Sequence, residues 1–255
     1  MYRSCLLIDV GNNPDRPRPG RLWLRNRYHV HQRLCMAFPS ASRKAEDVDF
    51  LKPFNADDFS NGQVTVKRTM DAGFLFFIDP LPNGRAVIIV QSAIVPDWNY
   101  AFHNASHLLA APPVVKPFEP HFPKGQWLRF RLAANPTRRL SKHSPDAKEE
   151  SIGKRVPVPT DRLIDWLAHR GESAGFDITR DATTLQPGYI YFNKSDKEND
   201  KGQRLRSVLF NGLLRVTDPD AFRQTLVHGI GSGKAFGFGL LLIAPVSTVG
   251  SGASI

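Results

Sequence analysis

Cysteine is almost missing from this chain: Cys5 and Cys35 are the two in 255 residues. Two thiols cannot staple a chain of this length. They point to a reducing compartment, with both cysteines buried and free, no disulfide, and a cytoplasmic location. No Cys/His set has the spacing of a zinc site, so no metal and no cofactor are expected. Long apolar runs are lacking too. None approaches the roughly 20 residues that a membrane helix needs, so no membrane partner is expected. Residues 1–9 read as a strand and lack the apolar core and small-residue cleavage site of a signal peptide. Acidic residues are the remaining shortage: 24 Asp+Glu against 34 Lys+Arg leave a net charge of +10. That surplus favours nucleic acid or another anionic surface, although an ordinary basic protein carries it as well. Hydrophobic residues make up 41% of the chain, enough for one large core or two small ones.

What is present in quantity is glycine near the C-terminus. From His228 the chain reads HGIGSGKAFGFGLLLIAP, with Lys234 in the middle of five glycines. Glycine permits positive φ and close approach of backbone to a ligand. Exposed N–H groups beside one cation suit phosphate. A helix-like segment ends before these glycines and a strand-like run, 240–244, follows. Dinucleotide and triphosphate loops have the opposite order, strand first. That order disfavours a small-molecule phosphate enzyme and leaves another phosphate-bearing partner to find.

The pattern along the chain supplies a fold. Strands are expected over 2–9, 73–79 and 85–91, with Asn83-Gly84 turning the last two into a hairpin. Residues 11–20 read as an irregular loop. Asn26 caps a helix whose apolar positions end at Pro39. Residues 40–70 read as an insertion, 99–110 as a short helix, and 112–123 as a linker with an extended segment. In the second half, 126–134 is a strand and 138–159 a basic connection. A helix over 160–174, capped by Thr160, follows. Strands 188–192 and 206–216 flank a charged, protruding connection, and Asp218-Pro219 opens a helix to His228. Each half reads strand, helix, strand, strand, helix, strand. The expected class is α+β, two tandem ferredoxin-like domains over 1–118 and 122–246, with 247–255 a disordered tail.

The first helix opens RNRYHVHQR. Tyr28 and His31 are three residues apart and share a face. They lie in its first turns, where unpaired N–H groups and the helix dipole favour an anion. Arg25, Arg27 and Arg33 add positive charge. An imidazole beside a phosphate can exchange protons at neutral pH, and a phenol beside it can donate one. The same two residues also fit a helix that simply packs on a sheet.

Several stretches together resemble a known family. They are Tyr28-His-Val-His31-Gln-Arg33 with Ala37-Phe38-Pro39, Val90-Gln91-Ser92 with Pro96-Asp97-Trp98, Phe130 to Arg138 (FRLAANPTR), and Val208 to Gly212 through Gly239. In this order, over about residues 2 to 245, they resemble the CasE family, the CRISPR RNA-processing endoribonucleases of type I-E Cascade. The resemblance implies two ferredoxin-like domains. It implies metal-independent cleavage of a CRISPR repeat at the 3′ base of its hairpin. The 2′-OH attacks, and a 2′,3′-cyclic phosphate and a 5′-OH result. The mature crRNA and the other Cascade subunits are the implied partners. His31 matches the family's catalytic histidine and Tyr28 its companion tyrosine, with base and acid roles left open between them. Residues 35 and 36 offer no cation after the histidine, so no third catalytic group is assigned on this helix.

For RNA contact the candidates are Arg27 and Arg33, then Arg129, Arg131, Arg138 and Arg139 of the central segment. Lys194, Arg204 and Arg206 flank or lie on the protruding connection. Gly231, Gly233 and Lys234 come from the glycine stretch. Folded RNA is read mainly by shape and backbone, which suits such dispersed cations. A catalytically inactive RNA-binding subunit of a CRISPR complex is the alternative, and the presence of both Tyr28 and His31 argues against it.

Overall fold

The computed structural model describes residues 1–9, 11, 19–38, 73–81, 85–142, 149–192 and 203–246. The insertion at 40–70, the Asn83-Gly84 turn, Lys194 and the tail at 247–255 lie outside these. The chain forms two compact units, Met1–Glu119 with Ile190–Leu205 and Gly233–Phe238, and Pro120–Tyr189 with Arg206–Ser232 and Gly239–Ile255. Residues 233–238 group with the first unit. Among the described residues no helix is long and apolar enough to cross a membrane.

In the first unit, β1 (Tyr2–Asp9) is followed by helices α1 (Pro19–Arg25) and α2 (Arg27–Cys35). Strands β2 (Phe74–Leu81) and β3 (Arg85–Ser92), helix α3 (Trp98–Phe102) and strand β4 (Val114–Pro117) complete it. The strands form one antiparallel sheet in the order β2-β3-β1-β4. Alternation along β1 buries Leu6 and Ile8 on one face. Phe76, Ile88 and Val90 join them beneath Val30 and Leu34 of α2. Asn26 caps α2 as expected, its Oδ1 accepting the Tyr28 N–H at 3.1 Å. Just past α2, the Ala37 carbonyl accepts the Asp97 N–H at 2.7 Å, tying the helix end to the start of α3.

The second unit contains β5 (Trp127–Ala134), a ribbon of β6 (Thr137–Arg139) and β7 (Arg155–Pro157), and helix α4 (Leu163–Ala174). Strands β8 (Phe176–Ile178), β9 (Thr184–Phe192) and β10 (Gln203–Val216), helix α5 (Pro219–His228) and strand β11 (Leu241–Pro245) follow. The sheet order is β11-β5-β10-β8, with β9 paired to β10. Leu163 and Leu167 of α4, with Phe222 and Leu226 of α5, fill the core against Leu128, Phe130, Leu132 and Phe210. Asp218 caps α5 through Asp220 and Ala221 N–H groups, with Pro219 at its start.

Several expectations need correction. The 11–20 segment is not irregular to its end, because α1 starts at Pro19, whose fixed φ suits a first helical position. Thr160 does not cap α4: it sits in a 3-10 turn (Thr160–Arg162), and Arg162 occupies the cap position without a side-chain bond. The sheet position expected of 188–192 belongs to β8, three residues long and too short to show alternation. Neither cysteine is buried. Cys5 is exposed and Cys35 half-buried, Cys5 because it alternates with the buried Ser4 and Leu6.

Candidate active site

Helix α2 carries the site. Its residues are polar on one side and apolar on the other, so Val30 and Leu34 anchor it while Arg27, Tyr28 and His31 stay half-buried. Against the His31 imidazole lie two rings from β2. Phe76 is stacked at 6.2 Å between centroids and 13° between planes, and Phe74 is tilted at 5.4 Å. They reach it because alternate β2 residues project to the same face. One turn on, Cys35 Sγ lies 3.6 Å from His31 Nε2 and 4.0 Å from Nδ1. The imidazole is therefore held between aromatic faces and a weak sulfur partner, with limited freedom to reorient.

Arg27 is the electrostatic centre of this region. Burial pushes its guanidinium down to about 10. Among the described residues it has no acidic partner and no hydrogen bond, so no described group offsets its lost hydration. Its Nη1 stands 3.2 Å from where a Cβ on Gly237 would project, and Phe76 Cε2 stands 3.0 Å from the same point. The 3-10 turn Lys234–Phe236, bounded by Gly233 (φ +78°) and Gly237 (φ +80°), packs on α2 and β2. Lys234 itself is half-buried on this turn. The glycines thus let the turn lie against Arg27 and the ring beneath His31. Only glycine at 237 gives both the left-handed backbone and the space.

Among the other expected contacts, Arg33 and Arg206 have partners that define a role. Arg33 donates to the Ala101 carbonyl at 3.0 Å and to Asn104 Oδ1 at 2.8 Å. It ties α2 to the α3 region, and burial lowers its pKa. Arg206 donates to the Val158 carbonyl and to Thr160 Oγ1, the latter at 2.7 Å. Its geometry is that of a brace within the second unit. Arg129 and Arg139 are exposed, on β5 and β6, and Arg131 and Arg138 half-buried beside them. Arg204 is exposed near the start of β10. Gly231 (φ +80°) would direct a Cβ toward the Trp166 ring at 3.5 Å. Among the described residues no three of His, Cys, Asp and Glu converge as metal ligands.

Comparison with known proteins identifies the chain. Residues 1–245 match the profile described as CRISPR associated protein. Over 167 residues it is 36% identical to the CRISPR-associated endoribonuclease Cse3 of Thermus thermophilus, covering 62% of this chain and 73% of that one. The chain belongs to this CRISPR-associated family, that of the CasE and Cse3 endoribonucleases. A second CasE-type relative, the Cascade subunit CasE of Escherichia coli, is 27% identical over 252 residues, 96% of this chain and all of that one. The structure of Thermus thermophilus Cse3 bound to an RNA representing a pre-cleavage complex superposes with a TM-score of 0.67 at 29% identity. It covers 96% of this chain and 98% of that chain.

Sequence reasoning missed three members of the site. The two Phe rings read only as strand residues, and Cys35 as a buried thiol. The spacing of Cys35 from His31, four residues on a helix, was the available signal. Gly237 was visible as one of five glycines, but nothing marked it as the one against Arg27.

Proposed function

We propose that this chain cleaves CRISPR repeat RNA at the 3′ base of its hairpin, by attack of the 2′-OH beside the cut on the adjacent phosphorus. The reaction needs no metal. It yields a 2′,3′-cyclic phosphate and a 5′-OH, and the protein stays on the mature crRNA as a Cascade subunit in the cytoplasm. The observation that carries this reading is the grouping on α2. A half-buried imidazole, a phenol one turn before it and a desolvated guanidinium lie in a chain of the CasE and Cse3 family.

The chemistry asks three things of the protein: removal of the 2′-OH proton, protonation of the leaving 5′ oxygen, and stabilisation of charge on the phosphorane. His31 transfers one proton, and the stacked rings hold it in line. Tyr28 serves the other oxygen; its hydroxyl makes no hydrogen bond among the described residues. Arg27 supplies the positive charge that residues 35 and 36 lack. A poorly hydrated guanidinium gains most from a phosphate, because it gives up little water to bind one. Proton transfer by side chains contributes about 10²–10⁴-fold, so in-line positioning of the RNA provides much of the rest. Arg138, Arg139, Lys194 and Arg204, with the Gly231–Lys234 backbone, are the proposed contacts to the hairpin.

The fold reading follows from strand order. Both β2-β3-β1-β4 and β11-β5-β10-β8 place the first and third strands of each half at the centre. That is the order of a ferredoxin-like split βαβ, and it supports one such fold in each half, although residues 190–205 and 233–238 group with the first unit.

Repeat RNA incubated in excess EDTA tests the mechanism. Wild type cuts once and retains the product, while His31→Ala binds without cutting. A deoxyribose before the cut abolishes cleavage. Cutting that needs added metal, or persists in His31→Ala, would overturn the assignment. A wild type that binds but never cuts would favour an inactive RNA-binding subunit.

A further inference from the structure

The sheet of the second unit has two unlike faces. Its inner face is apolar and covered by α4 and α5. Period-two alternation puts Trp127, Arg129 and Arg131 of β5 on the other face. On β10 the residues paired with them are Arg215, Leu213 and Asn211 respectively. A face built to pack on another layer would be apolar here. Here it is mixed: Leu213, with Leu242 and Ala244 of β11 opposite Arg131 and Arg129, shares it with three arginines and an indole left 48% exposed. Arg129 makes no hydrogen bond or ion pair among the described residues. Arg215 leans toward the Trp127 ring at 5.9 Å and is 3.8 Å from Asp177, its pairing partner on β8.

We propose that this face binds a single-stranded RNA segment adjoining the hairpin. Guanidinium groups take phosphates, the indole offers a stacking surface for a base, and Asn211 can pair with a base edge. Duplex RNA presents no unstacked base to Trp127, so the indole selects a single strand over the hairpin stem. An acidic protein would engage the arginines but gain little from an exposed indole flanked by cations. Trp127 to Arg131 spans about 13 Å along the strand, a length suited to a short run of extended nucleotides. The inference rests on the chain binding repeat RNA, and not on the role of His31.

The test measures affinity of the full chain for three RNAs: the repeat hairpin alone, and the hairpin with a single-stranded extension on its 5′ or its 3′ side. Wild type should bind one extended RNA more tightly than the bare hairpin. Trp127→Ala should lose about tenfold or more of affinity for that RNA and none for the bare hairpin. Trp127→Phe should restore most of the loss. Arg129→Ala should lower the salt slope for the extended RNA by about 0.7. Trp127 is half exposed, so its truncation leaves the core intact, and circular dichroism checks this. Equal affinity of Trp127→Ala and wild type for both extended RNAs would overturn the proposal and leave the face to a protein partner. An equal loss on the bare hairpin would overturn it as well. Failure of wild type to bind the hairpin at all would instead sink the reading of the chain as an RNA binder.

Discussion

Replacing Arg27 with methionine should make the RNA-free protein more stable and a worse nuclease. The unbranched methionine keeps much of the apolar stem and removes the charge. A guanidinium held at about 10 by burial corresponds to a penalty of up to roughly 3 kcal/mol against folding. Partial exposure of the side chain lets water screen it, which brings the expected gain to about 1–2 kcal/mol. For a chain of this size each kcal/mol moves Tm by roughly 2–4 °C. The pH dependence has a definite sign. Below about 10 the group is charged in folded and unfolded chains alike, so the penalty is constant. Above about 10 the folded chain releases a proton that the unfolded chain keeps, so wild-type stability gains relative to the variant as pH rises. Thermal unfolding of both proteins between neutral and mildly alkaline pH measures the gain. Single-turnover cleavage measures its cost, expected at about 10²-fold or more if Arg27 meets the phosphorane. A variant that unfolds more easily than wild type yet cuts normally would show that Arg27 is a packing residue and refute the reasoning.

Gly237→Ala and Gly125→Ala make a matched pair. Both glycines have positive φ, but a Cβ at 125 meets nothing within 4 Å while one at 237 meets Phe76 at 3.0 Å. Backbone strain should cost each about 1–2 kcal/mol, and Gly237→Ala should lose roughly 1–3 kcal/mol more, with cleavage impaired because Phe76 underlies His31; equal unfolding and equal cleavage would remove the link. Cys35→Ser should keep near-wild-type cleavage and Cys35→Ala should shift the pH–rate profile, since Cys35 Sγ lies 3.6 Å from Nε2; coincident profiles would make the contact incidental. Arg206→Ala should cost about 1–3 kcal/mol of stability by leaving the Val158 carbonyl without its charged donor, measured by urea unfolding. A change confined to RNA affinity would return Arg206 to the RNA interface.

Much of this protein was legible in its sequence because the deciding signals are local. Asn26 and Asp218 cap helices through bonds to residues two or three positions away, so the caps are written in short windows. Alternation in β1 and β5 and the helical spacing of Tyr28 and His31 are of the same kind, and they yield the α+β class and the candidate catalytic pair. Short range also explains the failures. Strand β8 has three residues, so pairing with β10, not local pattern, makes it a strand. The roles of the arginines depend on partners far along the chain. Arg33 is consumed by Ala101 and Asn104, and Arg206 by Val158 and Thr160. Arg27 is left desolvated against a glycine 210 positions later. By itself the sequence determined which residue types stand on α2, because helix periodicity and capping are local physics. The tertiary structure alone decided which cation is desolvated and which is hydrogen-bonded, because both depend on what the whole unit packs around it.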